Sequence, residues 1–222
     1  MEVTMNIQID PKVLSRAIRA CAIASYNPPK SARADDRHAL RGVLLQALRG
    51  GQLDVVGTDG QWLARYRANV SIVSTTTCNG AVIEPASVKP LCAWLDMHGD
   101  DELVRIDVGP VAIDVGPVAK ACSECGSVLA FATRGADQYP RYEIAIPDYA
   151  HGKGVPVVGF DGALLSEVVE AFRIASDVKR GRMMPLMFQF GAEADYPVIV
   201  TCPSAPDMIA VVMPLKQPDV GQ

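Results

Sequence analysis

Three groups of residues in this chain have types and spacings that could do chemistry. Cys122-Ser-Glu-Cys125 is a CxxC, a spacing that can close a redox disulfide or offer two thiolates to zinc. No second CxxC or nearby Cys/His pair accompanies it, and no thioredoxin-like helix start follows, so the pair reads as part of a hairpin turn. His38, His98 and His151 are scattered through loop-like segments without ligand spacing. Gly57-Thr58-Asp59-Gly60 sets a carboxylate among glycines, but it joins two strands and opens no helix; turn formation accounts for Asp59, and a phosphate cradle is not expected. The third group is Lys12, Arg16 and Arg19, at i, i+4 and i+7, a cationic stripe suited either to phosphates or to water. With no nucleophile elbow, Walker loop or dinucleotide fingerprint, no enzymatic activity, metal or cofactor is expected.

Composition sets the outer bounds. A chain of 222 residues, 49% hydrophobic and 21% charged, can bury a core in one large or two small domains. A net charge of −4 argues against a wholly basic nucleic-acid coat but permits a local basic surface, and an acidic exterior would limit sticking elsewhere. The longest apolar runs, Val155 to Phe160 and Ile209 to Leu215, fall far short of the roughly 20 residues that span a bilayer. Met1-Glu-Val-Thr-Met-Asn has neither a basic n-region nor an apolar h-region, so the expected compartment is cytoplasmic and the six cysteines are expected to be thiols.

The elements that must position any site follow from periodicity. Residues 3–9 alternate as a strand, Asp10 is a good N-cap before Pro11, and Val13, Leu14, Ala17, Ile18 and Cys21 follow helical spacing. Ser25 to His38 reads as a loop. Leu40 to Leu48, Gln52 to Thr58 and Trp62 to Val70 read as strands joined at Gly50-Gly51 and Asp59-Gly60. A second copy of this order runs from Ala81 to Glu84, through a helix over Pro85 to Met97, to strands at Leu103–Val108, Val111–Val115 and Ser127–Thr133. A third has a strand at Val155–Phe160, a helix at about Gly162–Ser176, then Leu186–Phe190, Val198–Cys202 and Ile209–Met213. The expected fold class is α+β: repeated βαβββ units with helices on one side of antiparallel sheets. Two units make a domain over 1–148 and one makes a half-domain over 149–222, joined by a linker at 149–154.

Two distant stretches carry a resemblance. Leu53-Asp-Val-Val-Gly-Thr58-Asp59-Gly60-Gln61-Trp62-Leu63-Ala64 and Met208-Ile-Ala-Val211-Val212-Met213-Pro214-Leu215-Lys216 together resemble two walls of the peptide-binding groove of the bacterial sliding clamp, the beta subunit of DNA polymerase III. Leu40-Arg-Gly-Val-Leu-Leu, Val82-Ile-Glu-Pro and Tyr139-Pro-Arg-Tyr-Glu-Ile-Ala-Ile-Pro147 resemble further landmarks in the same order. Residues 5–147 look like the clamp's middle domain, and 155–216 resemble the second half of its last domain.

The resemblance implies a DNA clamp fold and a processivity role in DNA replication. Leu40, Thr58, Gly60, Gln61, Trp62, Leu63, Pro147, Val211, Val212, Met213, Pro214 and Leu215 would form a groove for polymerase and clamp-loader peptide motifs. Trp62 stands where the family usually carries a basic residue. Lys12, Arg16, Arg19 and Lys89 would face double-stranded DNA without reading its sequence. Glu167 and Glu170 make an acidic stripe on the third helix, so a clamp-fold interaction module that does not encircle DNA is the alternative; a zinc or redox protein built on Cys122 and Cys125 is a third. Leu164, Leu165, Val168 and Phe172 are expected to lack a partner within the chain, which suggests homo-oligomers built by isologous pairing of third units.

Overall fold

The computed structural model describes residues 4–26, 38–76, 80–99, 102–109, 118–146, 158–179, 182–191, 193 and 195–215. The first unit opens with β1 (Thr4–Ile9), where Met5, Ile7 and Ile9 are buried at period two. Helix α1 (Pro11–Ala24) begins where Asp10 accepts from the Lys12 and Val13 amides at 2.7 and 3.0 Å, and it buries Leu14, Ala17, Ile18 and Cys21 along one stripe. A 3-10 turn at His38–Leu40 leads to β2 (Val43–Leu48), β3 (Gln52–Thr58), β4 (Trp62–Asn69) and β5 (Ser71–Thr76). The sequence predicts one strand through Val70; the chain instead turns there, with the Val70 amide donating to Gly51 O at 2.8 Å, and runs on as the unforeseen β5.

The second unit comprises β6 (Ala81–Ile83), α2 (Pro85–Asp96), β7 (Val104–Val108), β8 (Val118–Ser123) and β9 (Val128–Gly135). The strand expected at Val111–Val115 lies outside the described residues, and β8 begins just after it. A short α3 (Tyr142–Ala145) follows, then the third unit with α4 (Gly162–Ser176), β10 (Met187–Gln189), β11 (Val198–Cys202) and β12 (Ala205–Val212). Of the strand expected at 155–160, the described part forms an isolated bridge from Gly159 to Leu215. The expected linker lies outside the described residues.

Among the described residues, twelve strands run in the order β10-β11-β12-β4-β3-β2-β6-β9-β8-β7-β1-β5, each of these pairings antiparallel. The first strands of the two leading units change places: β1 pairs with β7, and β6 pairs with β2. Helices α1, α2 and α4 pack on one side, with α1 between the other two, and their buried faces share one core with the strands. At Gly57 the approach is so close that a Cβ would meet Cys21 O at 1.9 Å, so this glycine lets α1 rest on β3.

The apolar face of the third unit is covered within the chain, contrary to the sequence reading. Val168, Ala171, Phe172 and Ala175 of α4 are buried in the core that holds Leu14, Ala17 and Ile18 of α1, and Leu164 packs against it. The cause is the β4–β12 pairing, which extends the sheet of the first unit and so sets α4 beside α1.

Candidate functional site

On the side of the sheet away from α1, a second and smaller apolar cluster gathers Leu44, Val56, Leu63, Val82, Ala136, Tyr139, Tyr142 and Val211. It exists because β3 is buried on both faces: Leu53 and Val55 turn toward α1, while Val56 turns the other way beneath residues 136–146. That segment is pinned by two hydroxyls. Tyr139 donates to Val56 O at 3.2 Å, and Tyr142 donates to Asp54 Oδ2 at 2.9 Å. Asp54 is fully buried and also takes a bidentate pair of bonds from Arg67, at 2.6 and 2.8 Å. Burial raises the pKa of both tyrosines, and the Asp54 charge raises that of Tyr142 further.

Where this cluster opens to the surface it leaves a cavity of about 360 Å³. One wall is the turn after β3: Thr58, Gly60, Gln61, Trp62 and Leu63. The turn is fixed by its own side chains. Asp59 Oδ1 accepts from the Gln61 and Trp62 amides at 2.7 and 3.1 Å, Thr58 Oγ1 donates to Trp62 O at 2.7 Å, and Gly60 takes φ +89°. The Asp59 carboxylate is thus occupied by backbone amides. A second wall is Val211 and Met213, set by the register of β12 on β4, which pairs Val211 with Leu63 and Val212 with Trp62; the Met213 amide continues it by donating to Gln61 O at 3.2 Å.

Leu40 closes one end of the cavity. Arg134 donates to the carbonyls of Ala39, at 2.9 Å, and Arg41, on either side of it, and ion-pairs with Glu84 at 3.2 Å. The remaining wall is Pro140, Arg141, Tyr142 and Ala145, with Pro197. Beneath the turn, Trp62 belongs to the main core and meets Glu167 of α4; burial foremost, then the charge of Asp59, holds the Glu167 carboxyl above its usual range, against the pull of the Trp62 N–H.

Eight of the predicted groove residues, Leu40, Thr58, Gly60, Gln61, Trp62, Leu63, Val211 and Met213, come together here. Val212 does not line the cavity, because strand alternation turns it into the main core opposite Val211. Pro214 and Leu215 lie beyond it, where the Leu215 amide donates to Gly159 O at 2.8 Å, and Pro147 lies outside the described residues. Sequence reading did not assign Pro140, Arg141, Tyr142, Ala145 or Pro197; the Tyr139–Ile146 stretch was legible only as a landmark, and a four-residue helix leaves no periodic signal.

The predicted cationic stripe lies on the helix side. Lys12, Arg16 and Arg19 line a depression of about 240 Å³ with Ser15 of α1, Asp96 at the end of α2, and Ile174 and Asp177 at the end of α4. Arg19 pairs with Asp96, which also accepts from Ser15 Oγ at 2.6 Å, so an acid interrupts the stripe. Lys89 is exposed on α2. On α4, Glu170 is paired with Arg173. Cys122 and Cys125 are both free thiols, the first on β8 and the second in the β8–β9 turn.

No family model matches the chain, and no curated protein matches it. Solved structures do. The fold is the DNA clamp fold, in the form taken by the bacterial beta subunit. A DNA polymerase sliding clamp from Pseudomonas aeruginosa, solved with a ligand, superposes with a TM-score of 0.71 at 18% identity over 96% of this chain and 67% of its own. DNA polymerase III subunit beta from Borrelia burgdorferi, in complex with a natural product, gives 0.63 at 11% identity over 97% of this chain and 65% of its own. Caulobacter crescentus pol III beta gives 0.61 at 18% identity, over 96% and 66%. The chain thus spans about two thirds of the length of these clamps. Among the described residues, no helix is long and apolar enough to cross a membrane.

Proposed function

We propose that this protein is a clamp-like replication accessory factor that docks linear peptide motifs of a polymerase or clamp loader and holds double-stranded DNA without reading its sequence. It acts by binding, with no chemistry of its own, in a cytoplasmic setting that keeps its cysteines reduced. The observation that carries the reading is the β4–β12 register, which joins Leu63 to Val211 and completes an apolar notch with Leu40, Tyr142 and Met213. A notch of about 360 Å³ suits one or two aliphatic or aromatic side chains from an extended peptide. Each anchor contributes roughly 1.5–3 kcal/mol, so after ordering costs the affinity belongs near micromolar, suited to partners that exchange.

Lys12, Arg16, Arg19 and Lys89 would meet phosphates from the helix side. The strands β5 and β10 stand at the two ends of the described sheet, and copies of the chain could assemble through those ends. The Arg19–Asp96 pair favours a second reading, a groove-bearing interaction module that does not encircle DNA, because it withdraws one cation from the stripe.

Two measurements test and separate these readings. A fluorescent peptide carrying adjacent Leu and Phe side chains should bind the full chain, and Met213→Glu should weaken it at least tenfold; equal binding by that variant removes the groove from the function. Protein assembled on closed circular DNA should resist salt and leave once the circle is cut. Peptide binding with no preference for circular over linear DNA would select the second reading.

A further inference from the structure

Several strands away from the groove, the end of α2 meets the β8–β9 turn, and three ligand-type side chains converge there. His98 follows α2, Glu102 precedes β7 and Cys125 sits in the turn; one ligand atom from each lies within 4.8 Å of the other two. Each is set up for a cation by an independent feature. His98 is 7% exposed, and its Nδ1 is 2.9 Å from Trp94 O. Since that carbonyl can only accept, Nδ1 is the donor in this bond and Nε2 is the ring nitrogen left for a metal, as in the usual arrangement of a metal-bound histidine whose other nitrogen donates to a carbonyl. The ring is further held by the Trp94 indole, with centroids 4.2 Å apart, and Trp94 donates to Ser127 Oγ at 3.0 Å in the turn that carries Cys125. Glu102 Oε1 is buried with no hydrogen-bond partner, a costly state for a carboxylate oxygen unless a cation faces it. Cys125 is exposed, which gives an ion a way in.

We propose that His98, Glu102 and Cys125 form a zinc site with water in the fourth position. A thiolate, an imidazole and a carboxylate suit zinc better than the all-oxygen shells preferred by magnesium and calcium. The CxxC is not the ligand pair. On β8, Cys122 lies opposite Arg105 while the neighbouring Ser123 turns inward, so Cys122 leaves by the other face of the sheet. The ligands missing from the sequence motif come instead from positions 98 and 102. The ion would clip the α2–β7 connection to the β8–β9 hairpin.

Titration of the purified, metal-stripped full chain decides the matter. One equivalent of zinc should bind, and cobalt in its place should give a thiolate-to-cobalt charge-transfer band with the visible absorption of a tetrahedral ion. Cys125→Ser should abolish the charge-transfer band and weaken zinc by about 100-fold or more, since loss of an outer-shell partner already costs about 10–100-fold. Glu102→Gln should weaken zinc by about tenfold or more, and Cys122→Ser should change nothing. The absence of a saturable cobalt band in the wild-type chain overturns the site whatever the variants do. Equal zinc uptake by Cys125→Ser, or loss of uptake in Cys122→Ser, overturns it as well.

Discussion

Leu63 and Val211 are register partners across β4 and β12, and both face the smaller apolar cluster, while their neighbours Trp62 and Val212, also partners, face the main core. One antiparallel ladder therefore does two jobs. Its inner face fastens the third unit to the first, and its outer face floors a notch whose walls come from segments far apart in the chain.

This division predicts opposite phenotypes for adjacent residues. Val212 is fully buried in the main core, whereas Met213 is 45% exposed at the cavity rim. Val212→Ala should lower unfolding free energy by about 1–3 kcal/mol and leave peptide affinity within about twofold. Met213→Ala should leave the urea midpoint almost unmoved and cost peptide binding about 1 kcal/mol or more. Parallel urea melts and anisotropy titrations check the pair, and matching losses in both assays for both variants would show that fold and notch are not separable.

Arg134 should matter to binding without touching a ligand. It brackets Leu40 through the carbonyls of Ala39 and Arg41 and is itself oriented by Glu84. Arg134→Met keeps the aliphatic stem but frees those carbonyls, so the 3-10 turn should loosen and Leu40 should cease to close the cavity. The expected outcome is a peptide affinity about tenfold lower, with faster amide exchange confined to residues 38–42. Unchanged affinity with a loosened turn would mean that Leu40 contributes little.

The fold was largely legible because its cues are local. Asp10-Pro11, the Leu14–Ile18–Cys21 spacing and Gly60 in its turn each specify their own geometry, and the three-fold order of elements specified the architecture. What stayed hidden depends on contacts between distant residues. Val211 and Val212 are adjacent and chemically alike, so only the strand they pair with says which one faces the notch. Tyr142 becomes a wall residue through Asp54 on β3, and Arg134 acts on Leu40 from the far strand of a neighbouring pair. The apolar stripe of α4 was readable as a stripe, but its cover, α1, follows from the β4–β12 junction and from no feature of α4 itself.

Alkaline pH should unfold this protein early. Burial between α1 and β3 pushes the Cys21 thiol from 9.0 up to about 12, and Tyr139 and Tyr142 are raised in the same direction, chiefly by burial. All three hold their protons when folded and release them more readily when unfolded. The Cys21 contribution is therefore complete below pH 9 and is lost as pH rises from 9 through about 12, while that of the two tyrosines starts to fall only from about pH 10 upward. Cys21 alone should remove about 1.4 kcal/mol per pH unit within that window. Thermal midpoints measured across it should fall more gently in Cys21→Ala than in the parent chain; equal slopes would exclude the thiol as a source.

The cationic depression gives a graded test of DNA binding. Lys12 and Arg16 line it with Arg19, but Arg19 is already paired with Asp96 across the α1–α2 junction. An exposed pair of this kind contributes little to stability, so Arg19→Gln should leave the fold intact while freeing Asp96 to repel phosphate. If DNA runs past α1, Lys12→Gln with Arg16→Gln should weaken retention on circular DNA and reduce the salt slope by about 0.9 for each phosphate left without its cation. Asp96→Asn should act in the opposite direction, because it removes the acid that interrupts the stripe. A salt slope identical in all of these variants would place the nucleic acid elsewhere, or leave the notch as the protein's single binding surface.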